Sequence, residues 1–308
     1  MLGPSSRCHG LLCPFGGTVI EVGGGVTKVR VGDRVSIEPG RPCGRCERCR
    51  AGEYNVCPDM AFMATPPYDG AFTHSIVWHE DFLHVLPDGL TMEQGALCEP
   101  MSVGLWANER ASVGIDDDVL VSGGGPVGLL AAEVARARGA RRVVVRDIDP
   151  ARLALAQSHG HQIEVAHPGD EPESMKGEDG AEFSVLLECS GARGAMAGCL
   201  ARLRSRGCAV MIGLPVDDPQ LPLARLHHRE LTVMNIFRYV NTWPTAIRLM
   251  SEGKVDVSGI FTHHFGLQQT EQALLAASQI GGCFKAIVYP QIDQIEDPGA
   301  AFSIGEVH

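Results

Sequence analysis

The spacing of apolar residues changes twice within residues 119–147. Residues 119–121 form a continuous apolar run, which is typical of a strand buried in a parallel sheet. Apolar positions then recur at helical intervals across residues 127–134, and Gly139 supplies a helix stop. A second apolar run follows at residues 143–145. The pattern therefore predicts a strand, a helix and a second strand in direct succession.

Three glycines separate the first of these strands from the helix with the spacing G-x-G-x-x-G: Gly123, Gly125 and Gly128. Such glycines allow a tight turn, a close approach to a pyrophosphate and close packing of helix on strand. The helix that follows directs free N–H groups and a positive dipole end toward phosphates. Asp147 ends the second strand, 19 residues after Gly128, where a carboxylate can bind both ribose hydroxyls. A glycine-rich turn of an ordinary α/β protein is the alternative, but this order of features favours a dinucleotide site.

The periodicity of the remaining chain predicts two kinds of structure. Short alternating stretches separated by glycine turns at 17–39, and again at 61–85, predict small antiparallel strands. Strand-like and helical stretches alternate from 150 to 289, which predicts a doubly wound parallel sheet. Residues 1–16 lack periodicity and are predicted to be irregular. The acidic tail from Gln291 is predicted to be loose.

Four cysteines follow the pattern C-x2-C-x2-C-x7-C at Cys43, Cys46, Cys49 and Cys57. Thiolates with such spacing can surround one tetrahedral Zn²⁺ ion. Because all four coordination positions are then occupied by protein, the predicted zinc is structural. Free buried thiols or a disulfide pair are the alternatives.

Composition limits the classes of function. The chain has 308 residues, enough for about two domains with a sizeable core. Acidic residues outnumber basic ones by 37 to 26, giving a formal charge of −11, which argues against a nucleic-acid partner. There is no run of 18 apolar residues and no signal-peptide pattern, so neither a membrane span nor export is expected. These features predict a cytoplasmic protein that handles small molecules.

Glu99 is an acidic residue in apolar surroundings. Thr91 and Gln94 form a capping-box pattern that predicts the start of a helix, and Glu99-Pro100 falls within it. A buried acid needs a partner or a metal. Both a functional carboxylate and a hydrogen-bonded core carboxylate are compatible with this position.

Several phrases of the chain resemble the zinc-containing medium-chain dehydrogenases, specifically their sorbitol (polyol) dehydrogenase branch. The phrases are Val31-Gly-Asp-Arg-Val35, Ile37-Glu-Pro-Gly40, Gly52-Glu-Tyr-Asn55, Ala64-Thr-Pro-Pro67, Gly95-Ala-Leu-Cys-Glu-Pro-Met-Ser-Val-Gly104 and Phe237-Arg-Tyr-Val-Asn-Thr-Trp-Pro244. The resemblance covers residues 17–289. It implies a Rossmann doubly wound parallel sheet inserted in a GroES-like, mostly-β catalytic domain. The implied boundaries are 1–101 and 239–308 for the catalytic domain and 102–238 for the nucleotide domain.

The resemblance also implies roles for individual residues. NAD is expected to contact Gly123, Gly125, Pro126, Val127, Gly128, Asp147 and Arg152. A polyol substrate is expected to be positioned by Phe62, Thr65, Arg238 and Tyr239. Glu99 stands where the family has an acid at a catalytic zinc. A homo-oligomer, either a dimer or a tetramer, is expected as well.

The chain departs from the family just before Gly17. A Gly-His-Glu phrase that supplies two catalytic zinc ligands is expected there, but Cys13 and Pro14 occupy the histidine and glutamate positions. Proline cannot ligate a metal. The first 16 residues are therefore interpreted as a truncated or mistranslated start. Taken alone, this departure predicts zinc at the cysteine cluster only and negligible turnover of polyols.

Three functions follow from these observations. The first is an NAD-dependent polyol dehydrogenase, and the second is a non-catalytic dinucleotide-binding protein descended from such an enzyme. The third, a zinc-independent reductase, is disfavoured by the cysteine cluster and the polyol-branch phrases. Pro14 is the residue that separates the first function from the second.

Overall fold

A computed structural model describes residues 5–11, 15–159, 163–169, 183–192, 194–215 and 220–300; for 5–11 it describes the strand and its pairing only. The chain divides into two compact units. The first comprises Met1–Glu99, Trp243–Ser251 and Val257–His308, and the second comprises Pro100–Thr242 and Glu252–Asp256. The domain boundaries implied by the resemblance stay predictions.

The elements of the described residues follow in chain order. Residues 5–110 supply β1 (Ser5–Leu11), β2 (Phe15–Val22), β3 (Arg34–Ile37), β4 (Gly40–Arg41), α1 (Glu47–Arg50), β5 (Ala61–Phe62), β6 (Ile76–His79), β7 (Leu83–Val85), α2 (Met92–Ala96) and α3 (Cys98–Arg110). Residues 118–235 supply β8 (Asp118–Ser122), α4 (Pro126–Ala137), β9 (Arg142–Arg146), α5 (Pro150–Ser158), β10 (Ile163–Ala166), β11 (Phe183–Glu188), α6 (Ala195–Leu200), β12 (Leu203–Met211), α7 (Leu223–His228) and β13 (Thr232–Asn235). Residues 243–289 supply α8 (Trp243–Ser251), β14 (His263–Gly266), α9 (Thr270–Gln279) and β15 (Ala286–Tyr289). Short 3₁₀ turns lie at Tyr54–Val56, Glu80–Phe82 and Leu267–Gln269.

The first unit is built on an antiparallel five-stranded sheet in the order β6-β1-β2-β3-β7. Its core includes Phe15, Val35 and Ile37, each at most 2% exposed. The buried indole of Trp243 on α8 belongs to the same unit and donates a hydrogen bond to Ser36 Oγ at 2.9 Å. The alternating pattern of residues 17–39 thus identified real strands.

The prediction that residues 1–16 are irregular is wrong for β1. This strand lies between β2 and β6 and pairs antiparallel with both. Its sequence, Ser-Ser-Arg-Cys-His-Gly-Leu, carries little apolar periodicity. The strand is specified by backbone pairing on both sides, which side-chain patterns do not report.

The predicted helix beginning at Thr91 is two helices. The capping box of Thr91 and Gln94 is present, but α2 ends at Ala96 and Leu97 is its C-cap. Glu99 and Pro100 lie in the first turn of α3. Proline has no N–H to donate to a carbonyl of the preceding turn, so a continuous helix through Pro100 is disfavoured.

The second unit contains a parallel six-stranded sheet in the order β10-β9-β8-β11-β12-β13. Numbered within the unit, this is the order 3-2-1-4-5-6 of a doubly wound nucleotide-binding sheet. Strands β9 and β10 are added on one side of β8, and β11, β12 and β13 on the other, so the strand order reverses between β8 and β11. Ligands of such sheets bind at the carboxyl ends of the two strands that flank this switch point. The predicted fold class is confirmed.

The acidic tail is not loose as far as residue 300. The backbone N–H of Leu267 donates to the carbonyl of Ile292 at 2.7 Å, and that of His264 donates to the carbonyl of Pro298 at 2.8 Å. Residues 301–308 lie outside the described residues. Within the part of the chain that the structure describes, every helix is too short or too polar to cross a membrane.

Candidate functional site

The glycine turn after β8 lies at the switch point of the parallel sheet. Gly123 has φ +98°, and a Cβ there would stand 2.9 Å from the backbone nitrogen of Ser190, which follows β11. A Cβ on Gly128 would overlap the carbonyl oxygen of Gly123. Because the turn folds back on the helix and touches the neighbouring strand end, a side chain at either position is excluded.

The helix after the turn directs its amino end at open space. Gly125 is the N-cap of α4 without a side-chain cap, and Pro126 is the first helical residue. The N–H groups of the first turn, including those of Val127 and Gly128, have no partners within the helix. A Cβ on Gly125 would meet no atom within 4 Å. This end of the helix is therefore open to an anion such as a pyrophosphate.

Asp147 is held in place at the end of β9. Its Oδ2 accepts a hydrogen bond from the backbone N–H of Gly124 at 2.6 Å, and its Oδ1 accepts one from Asp149 at 2.8 Å. The guanidinium of Arg152 lies 3.5 Å from Asp147 Oδ2. The carboxylate is buried, with 6% of the residue exposed. These contacts hold the acid beside the glycine turn, and its role toward a ribose stays a prediction.

A cavity of about 230 Å³ connects the glycine turn with Asp147. It is lined by Ser122, Gly123, Gly125, Arg146, Asp147, Ile148, Arg152, Pro168, Cys189, Ser190, Ala192 and Ala195. The volume is below the range typical of a whole drug-sized ligand, so it suits one end of a dinucleotide. Because Asp147 is the ribose-binding candidate, we assign the cavity to the adenosine end.

The four cysteines of the predicted zinc site meet in the first unit. The sulfur atoms of Cys43, Cys46, Cys49 and Cys57 all lie within 4.8 Å of one another. The Cys46 and Cys49 sulfurs are 3.4 Å apart, and those of Cys46 and Cys57 are 3.9 Å apart. Tetrahedral zinc with bonds of about 2.3 Å places its sulfur ligands about 3.8 Å apart, so the cluster fits such an ion. The predicted ligand set is thus brought together.

The local backbone favours thiolate at one member of this cluster. Hydrogen bonds from the backbone N–H groups of Arg45 and Cys46 lower the pKa of the Cys43 thiol to about 6. In the absence of metal, burial and the neighbouring Cys46 sulfur raise the pKa of Cys49 to about 12. A cation would reverse the second effect because thiols that coordinate a metal lose their protons.

Comparisons with known proteins agree with this architecture. The family model of the zinc-binding dehydrogenases matches residues 126–252, and that of the alcohol dehydrogenase GroES-like domain matches residues 9–88. A sorbitol dehydrogenase of Arabidopsis thaliana is 40% identical over 261 residues, which is 83% of this chain and 72% of the relative. The chain belongs to the zinc-binding dehydrogenase family. A sorbitol dehydrogenase of Bacillus subtilis (strain 168) is 38% identical over 281 residues, 89% of this chain and 79% of that relative.

Two solved structures of dehydrogenases have the same fold. An oxidoreductase/dehydrogenase of unknown specificity from Escherichia coli superimposes with a TM-score of 0.85 at 27% identity, covering 93% of this chain and 91% of that one. Galactitol-1-phosphate dehydrogenase from Escherichia coli superimposes with a TM-score of 0.83 at 26% identity, covering 93% and 92%. The Rossmann and GroES-like assignments therefore hold for this family member.

The predicted substrate residues are distributed between the two units. In the first unit, Phe62 is half-buried on β5 and accepts a backbone hydrogen bond from the exposed Thr65 at 3.1 Å. In the second unit, Arg238 has φ +57° and stacks over the ring of Phe237 at 4.6 Å, while Tyr239 is buried. Their roles toward a substrate stay predictions.

Among the residues that the structure describes, the predicted acid at the catalytic zinc, Glu99, belongs to no cluster of metal-binding side chains. Glu99 is half-buried in the first turn of α3. Among the described residues, the four cysteines are the one group of three or more ligand side chains close enough to hold an ion. Cys13 and Pro14 lie outside the described residues. A complete catalytic zinc site is therefore not assembled from the residues described.

One buried residue at the switch point was not predicted from the sequence. Glu188, the last residue of β11, is 1% exposed and hydrogen-bonds to the strand ends around the cavity. Its only signal in the sequence is an acid that ends an apolar run directly before Cys189-Ser-Gly191. An acid in a predicted buried strand requires hydrogen-bond donors around it, and this requirement could have identified Glu188 as a candidate site residue.

Proposed function

We propose that this chain is an NAD-dependent dehydrogenase that interconverts a polyol of the sorbitol or xylitol class and the corresponding ketose. The observation that carries the dinucleotide part is the cavity at the switch point, which is lined both by Gly125 at the open helix N-terminus and by the fixed carboxylate of Asp147. The sorbitol dehydrogenases among the relatives support the polyol part. NAD, when bound, supplies the nicotinamide ring that accepts the hydride.

Different parts of the chain are proposed to bind the cofactor, the zinc and the substrate. The first turn of α4 receives the pyrophosphate through backbone N–H groups, and Asp147 accepts hydrogen bonds from the adenosine ribose. The cysteine cluster holds one structural zinc, since four thiolates leave no position open for a substrate. Phe62, Thr65, Arg238 and Tyr239 are proposed to orient the polyol.

NAD should bind at least about tenfold more tightly than NADP, because Asp147 repels a 2′-phosphate and accepts hydrogen bonds from a free ribose. The nearby guanidiniums of Arg146 and Arg152 line the same cavity and reduce this difference without reversing it. Replacing Asp147 with serine should weaken NAD binding and reduce the ratio of the NADP dissociation constant to the NAD dissociation constant. Calorimetric titration of both cofactors measures the ratio in each protein.

Asp149→Ser is a matched control for this prediction. Asp149 caps α5 by accepting a hydrogen bond from Ala151 at 2.9 Å, and serine can replace that cap. The control should retain the cofactor ratio of the wild type. Equal or tighter binding of NADP by the wild type would overturn the assignment of NAD.

A second candidate function is dinucleotide binding without turnover. It is favoured by the proline at position 14 and by the absence, among the described residues, of a metal cluster that includes Glu99. Metal analysis of the purified chain separates the two candidates. Two zinc ions per chain would support the dehydrogenase. A single zinc ion that disappears when the cysteine cluster is mutated would support the second candidate.

The assembly and location are part of the same proposal. We propose a cytoplasmic homo-oligomer, either a dimer or a tetramer. Light scattering coupled to size-exclusion chromatography measures the mass in solution. A mass equal to that of one 32.9 kDa chain would contradict the proposed oligomer.

A further inference from the structure

Glu188 is a buried carboxylate surrounded by hydrogen-bond donors. Its Oε1 accepts hydrogen bonds from the backbone N–H of Ser190 at 3.1 Å, from Ser122 Oγ at 3.4 Å and from Ser190 Oγ. Its Oε2 accepts one from the backbone N–H of Gly191 at 3.1 Å. Both carboxyl oxygens of Glu188 are thus engaged by donors from the residues around them.

These partners come from both sides of the switch point. Ser122 ends β8, and Ser190 and Gly191 form the turn that follows β11. Ser122 and Ser190 line the cavity, whereas Glu188 lies behind its wall. A Cβ on Gly123 would stand 2.9 Å from the backbone nitrogen of Ser190. The serine turn that Glu188 holds therefore lies directly against the glycine turn.

We propose that Glu188 is a positioning residue for the dinucleotide, fixing the ends of β8 and β11 at the spacing that the bound cofactor requires. The inference rests on the proposed function of the cavity. Glu188 is absent from the lining of the cavity, so it acts through Ser122, Ser190 and Gly191.

Glutamine at position 188 cannot reproduce these contacts. If its oxygen takes the place of Oε1, its NH₂ group faces the N–H of Gly191; if it takes the place of Oε2, the NH₂ faces the N–H of Ser190. In either orientation a backbone donor loses its acceptor. The serine turn then shifts to find another partner, and the glycine turn beside it loses its position.

Fluorescence titration with NADH tests the proposal independently of turnover. For Glu188→Gln, the dissociation constant for NADH should rise at least about tenfold, which corresponds to about 1.4 kcal/mol. Titrations are made at a temperature where circular dichroism shows every variant to be fully folded. The measured change then reports the geometry of the cavity and not a loss of folded protein.

Glu133→Gln is the matched control. Glu133 is equally buried in the same unit, and its Oε2 accepts hydrogen bonds from Arg136 at 2.7 Å and from the backbone of Asp256 at 3.1 Å. It is absent from the lining of the cavity. This control should lower the melting temperature while leaving the NADH dissociation constant within about twofold of the wild type.

The outcomes distinguish the inference from the function on which it rests. Wild type that fails to bind NADH would overturn both. Wild type that binds NADH, with Glu188→Gln unchanged or with both glutamine variants equally weakened, would overturn the role of Glu188 alone. If Glu188→Gln does not fold, Ser190→Ala should weaken NADH binding about threefold, whereas Ser184→Ala, on β11 and outside the cavity lining, should not. Equal effects in the two serine variants would also overturn the role.

Discussion

Replacing Gly128 with alanine should abolish measurable NADH binding, with a loss of at least about 100-fold, or about 2.7 kcal/mol. The added methyl group would overlap the carbonyl oxygen of Gly123, which is backbone and cannot rotate away as a side chain could. The glycine turn must therefore move off the helix, and the phosphate-binding N–H groups lose their alignment. Fluorescence titration with NADH measures the loss.

Two further glycine substitutions separate binding from folding. A methyl group on Gly125 meets no atom within 4 Å but projects where a pyrophosphate would lie, so Gly125→Ala should fold normally and bind NADH weakly. Gly198→Ala on the exposed face of α6 should fold and bind like the wild type, with stability raised by about 0.5–1 kcal/mol. Gly128→Ala binding NADH as tightly as the Gly198→Ala control would show that the turn is not the phosphate site.

Cys46→Ser should remove about one zinc ion per chain and lower the melting temperature by roughly 5 °C or more. Three thiolates remain, but the sulfur of Cys46, which lies 3.4 Å from that of Cys49 and 3.9 Å from that of Cys57, is lost. The binding energy of a structural zinc contributes directly to folding, so its loss appears as lost stability. Zinc content by mass spectrometry and melting by circular dichroism measure both effects.

Cys283→Ser is the control for the zinc prediction. Cys283 belongs to the same unit and is partly exposed, but it stands outside the cluster. Its substitution should leave the zinc content unchanged. Unchanged zinc in Cys46→Ser would rule out the proposed ligand set.

The nucleotide-binding unit could be predicted because its determinants are local. Strand, glycine turn, helix and second strand follow one another within residues 118–147, and each is specified by spacing that the sequence displays. The hydrogen bond from Gly124 to Asp147 joins the two ends of that one segment. The cysteine cluster was predictable for the same reason, since its ligands lie within 15 consecutive residues, 43–57.

Features that depend on distant pairing could not be predicted. The strand at residues 5–11 is defined by its backbone partners in β2 and β6, and its sequence has no alternation. The donors around Glu188 come from two strand ends that lie 66 residues apart in the chain. The tail from residue 291 is polar and aperiodic in sequence, but backbone hydrogen bonds near Leu267 hold it in place. The pattern of side chains along a sequence does not show which distant backbone groups will pair.

Formation of NADH from NAD and a polyol tests the proposed function most directly. The wild-type chain is supplied with NAD and with sorbitol or xylitol, and NADH is followed by its absorbance; the Gly128→Ala chain serves as the control. We expect a steady rise in NADH that requires both the polyol and NAD and that is absent from the control. Saturable binding of NADH by the wild type, with no NADH formed from either polyol, would contradict the proposed dehydrogenase and establish dinucleotide binding without turnover.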